Sequence, residues 1–258
     1  IVNRYVADTG NAMNTERGKM RTTPHPMALR IAQFVAEGRI IKDEWRNTDE
    51  RGRDLACLLG AADPKITSPK ECPVDLMPRW LAYLSVRIGE NISKAKWQEI
   101  ITRYAGLAIR WHVLDAATWR RCELKTKRAA LMIALPHDKK NVVQPVIDLT
   151  DRSLRGDEPT AAKWVATWAE AWAARAATEA EIGPWAKAWA AAGAAEAAAR
   201  AEAWPKAWAA AGAGMAAAEA ARAEAWPAAW VAPGAWDKIV TACLDAISTE
   251  IYLCEQKK

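Results

Sequence analysis

Basic and aromatic side chains that could bind a phosphorylated ligand are concentrated between Arg79 and Arg128. This stretch holds eleven Lys and Arg residues against four Asp and Glu residues, although the whole chain of 258 residues carries a formal net charge of only +5. Cationic side chains hold phosphate groups, and aromatic rings stack on bases. We therefore expect a ligand-binding basic face formed by Lys96, Arg103, Arg110, Trp111, Trp119, Arg120, Arg121 and Lys125.

Two other interpretations of this basic face stay open. It could be an ordinary solvated helix surface, or it could be the docking site of an acidic protein. Proteins that bind extended nucleic acid usually carry a larger positive charge than this chain does. A small anionic ligand such as a nucleotide, or an acidic host protein, is the partner that the sequence favours.

Residues typical of catalysis or metal binding are sparse elsewhere in the chain. The five cysteines are scattered, which is typical of reduced thiols in a cytoplasmic protein. No partner stands at metal-ligand spacing from any histidine, and neither a phosphate-binding glycine loop nor a serine elbow is present. No apolar run approaches the roughly 18 residues that span a bilayer. We expect no metal, no cofactor, no membrane contact and no enzyme activity. The histidines are His25, His112 and His137.

Two predicted helices carry the basic face. Ser93 is a good N-cap for a helix over residues 94–112, and its basic residues recur every seven positions and so share one side. Asp115 is a good cap for a second helix that ends at about Leu135. Four more helices are predicted: one that begins after Pro24-His25-Pro26 and ends near Gly38, one that carries Leu55, Leu58 and Leu59 and ends at Gly60, one with Pro78 in its first turn, and one over 141–154 that is interrupted near Pro145.

The alanine-rich residues 161–236, here called the Ala/Trp segment, hold ten of the fifteen tryptophans in the chain. The sequence Ala-Glu-Ala-Trp recurs at residues 169, 201 and 223, and tryptophans four residues apart lie on one side of a helix. Pro184, Pro205 and Pro227 suit the first turns of successive helices. We predict three or four helices whose tryptophans are either core spacers or the walls of a binding cleft. Such Ala-rich helices also favour a homo-oligomer.

The predicted fold is all-α, with an N-terminal helical bundle followed by an Ala/Trp-rich helical array and a closing amphipathic helix. That last helix runs from Trp236 to about Leu253 and has an ordinary apolar stripe. Arg155 to Pro159 is the clearest linker, and Thr160 caps the following helix. The predicted divisions are a disordered tail over 1–23, a helical domain over 24–158, and the array with its closing helix over 159–258.

Several short stretches resemble a loose group of tailed-phage proteins in which a variable Ala/Trp/Glu/Arg repeat precedes a final amphipathic helix. The resemblance covers residues 24–254, and similar repeats are seen in proteins described as immunity proteins. It implies a small accessory phage protein that acts on host machinery, with no catalytic residues to carry over. The stretches are residues 26–40, Cys72-Pro73, Met77-Pro-Arg-Trp80, Arg103-Tyr-Ala-Gly-Leu-Ala-Ile-Arg-Trp-His112 and Trp119-Arg-Arg121.

Three functional hypotheses follow. The first is a non-enzymatic, counter-defence protein in the cytoplasm of an infected bacterium that sequesters a host component. In its most concrete form, the arginines hold an anionic nucleotide signal while Trp111 or Trp119 stacks on the base. The second is a protein-interaction or oligomerisation module built on the Ala/Trp segment. The third is an enzyme without a visible motif.

Overall fold

The computed structural model describes residues 23–138, 141–167, 169–170 and 234–256. This part of the chain is predominantly α-helical, as predicted. The last helix, Ala235–Glu255, is called the closing helix. The helices are α1 (Pro26–Ala36), α2 (Leu58–Ala62), α3 (Arg79–Asn91), α4 (Lys94–Ala108), α5 (Ala116–Ala134), α6 (Val143–Leu154) and α7 (Ala235–Glu255), with short 3-10 turns at Pro69–Glu71, Trp111–Val113 and Leu135–His137.

A small β-hairpin replaces the start of the helix that was predicted around Leu55. Strand β1 (Arg46–Thr48) pairs antiparallel with β2 (Asp54–Ala56). The connecting turn is closed by Asp49, whose carboxylate accepts hydrogen bonds from two backbone N–H groups of the turn, and by Gly52 with a φ of +72°. Asp and Gly favour such turns, so the local turn chemistry overrides the apolar spacing on which the helix prediction rested. Only α2 is helical in this region.

The predicted helix caps are confirmed in the described residues. The Ser93 hydroxyl accepts from the backbone N–H of the third residue of α4 at 3.3 Å, and the Asp115 carboxylate accepts at 2.7 Å from the equivalent N–H of α5. Thr160 caps the helical residues 161–167 in the same way at 3.2 Å. Such caps satisfy N–H groups that have no partner within the helix, so each fixes where its helix begins.

Two predicted helix details are wrong. The helix over 94–112 ends earlier, at Ala108, and residues Trp111–Val113 form a separate 3-10 turn. The interruption near Pro145 does not occur either, because Pro145 lies in the first turn of α6, where its missing N–H is not needed.

The described residues belong to two compact units. Unit 1 contains residues 23–123 and 236–256, whereas unit 2 contains the described residues of 124–235. Within unit 1, α1 packs against α4 and α2, and α2 packs against α3. The core of unit 2 consists of Leu131, Val143, Val146, Ile147, Leu149 and Trp164. The first half of α5 therefore belongs to unit 1 and its second half to unit 2.

The closing helix is an integral part of unit 1. Its apolar stripe joins the core cluster of that unit, and each residue of the stripe is at most 1 % exposed. Full burial of an aliphatic side chain contributes about 1.5–3 kcal/mol, so this stripe alone supplies a large share of the stability of unit 1. The stripe consists of Val240, Cys243, Leu244, Ile247 and Ile251.

Most of the Ala/Trp segment lies outside the described residues. The repeats, the first-turn prolines and eight of the ten tryptophans of that segment fall there, as does the predicted tail up to residue 22. The exceptions are Trp164, which is 1 % exposed, and Trp236, which packs against the core of unit 1.

Candidate functional site

The predicted basic face lies on α4, on α5 and on the turn between them. Lys96 and Arg103 lie on α4, while Arg110 immediately precedes the 3-10 turn that carries Trp111. The remaining predicted residues lie on α5, with Trp119, Arg120 and Arg121 in its unit 1 half and Lys125 in its unit 2 half. The caps at Ser93 and Asp115 fix the start of both helices and thus the direction in which each side chain points.

Three arginines of this face form ion pairs with the closing helix. Arg103 donates to Asp245 at 2.5 Å, and Arg121 donates to Glu250 from two nitrogens at 2.8 and 3.2 Å. Each pair joins residues more than a hundred positions apart in the chain. The face that the sequence favoured for an anionic ligand therefore already binds carboxylates of the same chain.

The third of these pairs joins Arg110 to Glu255, the last residue of the closing helix. Nε of Arg110 donates to one carboxylate oxygen at 3.1 Å, and a second nitrogen donates to the other oxygen. A guanidinium that binds both oxygens of one carboxylate fixes its orientation as well as its position. This pair therefore holds the C-terminal end of the closing helix against the turn after α4.

The opposite end of the closing helix is held by the cap of α4. Asp237 accepts a hydrogen bond from the Ser93 backbone N–H at 3.0 Å and one from its hydroxyl at 2.7 Å. Because the same hydroxyl accepts from the first turn of α4, one serine connects the starts of two helices. The negative charge of Asp237 also lies at the N-terminus of α4, where the helix dipole favours an anion.

Glu250 is the most deeply buried of these carboxylates. Its side chain is 3 % exposed, whereas that of its partner Arg121 is 40 % exposed. The hydrogen bond with Glu250 raises the pKa of Arg121 above its usual value, and Arg121 also donates to Thr118 at 3.1 Å. A carboxylate that is withdrawn from water needs such a partner, because an unpaired buried charge is strongly unfavourable.

The other predicted cations have partners close to them in sequence or are partly buried. Lys96 donates to Glu99 at 2.7 Å, and this hydrogen bond raises the pKa of Lys96 above its usual value. Arg120 donates to Glu123 at 3.3 Å, and Lys125 is half-buried on α5. The hydrogen bonds of Lys96 and Arg120 thus lie within α4 and α5.

The two tryptophans predicted to stack on a base lie in the core instead. Trp111 is 3 % exposed and Trp119 is 7 % exposed. Their rings meet edge to face at a centroid distance of 5.8 Å, and the cluster continues to Tyr104 at 5.2 Å from Trp111 and to Trp80 at 6.2 Å from Trp119. Such edge-to-face contacts stabilise a core. Neither ring presents the open face that stacking on a base requires.

A polar pair is buried beside these rings. The hydroxyls of Tyr104 and Ser85 lie 2.6 Å apart, and the Tyr104 hydroxyl also donates to the Met77 sulfur at 3.7 Å. Complete burial raises the pKa of Tyr104 far above its usual value. Burial likewise raises the pKa of the Cys72 thiol to about 12, so at neutral pH both groups are uncharged.

The histidines and carboxylates do not come together as a metal site in the part of the chain that the structure describes. His25 caps α1 by accepting the Met27 N–H at 3.1 Å and lies 3.5 Å from Asp75. His112 contacts the Ile109 carbonyl at 3.1 Å. The side chain of His137 lies outside the described residues. No described helix has the length and apolar character that a membrane crossing requires.

Sequence reasoning identified the arginines but missed the carboxylates that bind them. The closing helix carries four carboxylates and one lysine. The positions of the carboxylates around the helix indicate that it docks on a basic surface. With 3.6 residues per turn, Asp237 and Glu255 fall on one margin of the apolar stripe and Glu250 on the other margin. Charges that border a buried stripe are typical of a helix that docks on a surface of opposite charge.

Comparison of the chain with protein-family models, curated proteins and solved structures found no match. The geometry of the ion pairs and of the aromatic cluster is therefore what the functional proposal rests on.

Proposed function

We propose that the protein is a non-enzymatic interaction module in which unit 1 is a folded carrier and the Ala/Trp segment supplies the binding interface. One observation carries this proposal: three arginines of the basic face are occupied by the closing helix, through Asp245, Glu250 and Glu255. The face is thus used to close unit 1 on the helix that directly follows the Ala/Trp segment.

An anionic ligand would have to displace carboxylates that are attached to the same chain. Tethered groups compete at an effective concentration on the order of millimolar. A free nucleotide at micromolar concentration would therefore have to bind each arginine much more tightly than the carboxylate does. The buried rings of Trp111 and Trp119 could not add stacking energy without opening the core.

The tryptophans of the Ala/Trp segment favour an interface there. Tryptophan is enriched among residues that dominate binding energy, and alanine lets helices approach closely. In this proposal the segment folds as three or four Ala-rich helices that associate with further copies or with a host protein in the bacterial cytoplasm. The phage context rests on the sequence resemblance alone.

Light scattering on the full-length chain tests the proposal. We expect the wild-type protein to be oligomeric or to form a defined complex with a host protein, and we expect replacement of Trp185, Trp189, Trp204 and Trp208 by alanine to abolish this association while unit 1 stays folded. The matched control is the double variant Lys96→Ala/Glu99→Ala, which removes an exposed local ion pair. A wild-type protein that is monomeric and binds no host protein would overturn the proposal.

Nucleotide sequestration remains a second candidate because two donors are left over in the basic region. Nη2 of Arg120 and Nε1 of Trp111 are buried and have no hydrogen-bond partner among the described residues. Titration calorimetry with cyclic and linear nucleotides tests this candidate, with Arg120→Met as the comparison variant. Saturable binding that Arg120→Met weakens would favour sequestration, and flat traces across the panel would eliminate it.

A further inference from the structure

Within the described residues, the closing helix is held to the rest of unit 1 by contacts of its side chains. In sequence, residues 124–235 separate the two parts of unit 1. The five cysteines are free, so no disulfide links the parts. The surface of unit 1 that receives the helix, here called the groove, includes Ser93, Arg103, Arg110 and Arg121. It is therefore a binding site for a helix that lies far away in the sequence.

This groove selects the helix by both register and charge. Contacts at Asp237 and Glu255 hold its two ends, and Glu250 must meet Arg121 because its carboxylate is buried. A helix shifted by one turn would lose all of these contacts at once. The partner that fits the groove must therefore have this spacing of carboxylates around this apolar stripe, and a second copy of the chain has both.

We propose that the closing helix exchanges reciprocally between two copies of the chain, so that each copy completes unit 1 of the other. The contacts are identical in the closed monomer and in the exchanged dimer, so their free energies differ only in the path of the connecting chain and in the entropy lost when two chains associate. Because residues 124–235 separate the groove from the helix in sequence, no short connection forces a chain to close on its own helix. The inference rests on the proposed function in one respect: association through the Ala/Trp segment raises the local concentration of closing helices, and this favours exchange over self-closure.

Two charge-reversed full-length chains test the exchange. One carries Arg121→Glu and the other carries Glu250→Arg, so each alone places like charges together at the groove. In a reciprocal dimer, one groove pairs the two introduced charges and the other restores the native pair. The two chains are mixed in urea, refolded together, and compared with each chain refolded alone.

We expect the mixture to give a species of twice the 28.3 kDa chain mass that contains both chains, and its urea midpoint to recover at least half of the loss shown by each chain alone. Should the chains with the buried position fail to fold, the pair Arg110→Glu and Glu255→Arg repeats the test at a two-bond ion pair whose side chains are 42 % and 38 % exposed. A midpoint that does not recover in either pair overturns the proposal.

A matched control separates exchange from association through the Ala/Trp segment. Lys96 and Glu99 both lie on α4, so no exchange of the closing helix can restore their pair. Mixing the chains Lys96→Glu and Glu99→Lys must therefore leave the midpoint unchanged. If every sample is monomeric, the exchange and the homo-oligomeric form of the proposed function both fail, whereas oligomers without recovery of the midpoint mean that only the exchange fails.

Discussion

Replacing Arg121 by methionine tests whether the closing helix is locked by its ion pairs. The substitution keeps an unbranched side chain but leaves the Glu250 carboxylate, 3 % exposed, without its cationic partner. Breaking a fully buried pair in this way costs about 3–5 kcal/mol. Because the Arg121 side chain is 40 % exposed, water screens the pair, and we expect a smaller loss of about 2 kcal/mol in the free energy of unfolding.

The double variant Arg121→Met/Glu250→Leu distinguishes the loss of an attractive ion pair from the cost of leaving a buried charge unpaired. Removing both partners eliminates the buried charge, and such replacements are often neutral. We therefore expect the double variant to unfold within about 1 kcal/mol of the wild type, so that it recovers part of the loss shown by Arg121→Met.

Urea unfolding followed by circular dichroism measures these differences. With a denaturant slope of about 2 kcal/mol/M, the single variant should lower the midpoint by about 1 M. Arg103→Met is the matched control, because its partner Asp245 is 61 % exposed and the loss should stay within about 0.5 kcal/mol. The explanation is refuted if Arg121→Met costs no more than Arg103→Met, or if the double variant recovers nothing.

Three further changes probe the core and the loop before α3. Ile247→Ala, at a fully buried position, should lower the free energy of unfolding by about 2–5 kcal/mol, whereas Tyr252→Ala, at a side chain that is 59 % exposed, should leave the urea midpoint nearly unchanged. Tyr104→Phe should cost about 1 kcal/mol in the same assay, because it removes a buried hydroxyl hydrogen bond. Hydrogen bonds from the Thr67 backbone and side chain lower the pKa of Glu71, so its contribution is present above the unfolded pKa and lost as pH falls through the folded pKa. Glu71→Gln should therefore reduce the acid-induced drop in the urea midpoint below pH 4.5, and an equal drop in both proteins would contradict this.

The helices were predictable where their signals are local. The caps Ser93, Asp115 and Thr160 each interact with a backbone N–H three residues away, so the sequence alone contains both partners. The hairpin was missed because its strands have only three residues each, too few for an alternating pattern to emerge. Its turn was visible in Asp49 and Gly52, and the apolar residues that follow obscured it.

The roles of the two tryptophans could not be read from their neighbours in sequence. A tryptophan close to arginines suits a stacking platform and a core equally well, because both need a large apolar ring beside a helix. A tryptophan ring is a stacking platform or part of the core depending on whether another element covers it. Trp119 is covered because Trp80 of α3 and Trp111 of the preceding turn meet it, and those contacts depend on the packing of three elements.

For a related reason, the local excess of positive charge did not reveal the carboxylates that pair with it. A count over Arg79–Arg128 registers cations but not carboxylates that fold onto them from the other end of the chain. An excess of positive charge in one stretch therefore predicts an external anionic partner only if no distant segment carries a matching excess of negative charge. Here the closing helix carries that negative charge, at the margins of an apolar stripe that must be buried somewhere. Complementary charge beside complementary apolar surface is a sufficient physical reason for the helix to dock in this groove, whichever copy of the chain supplies it.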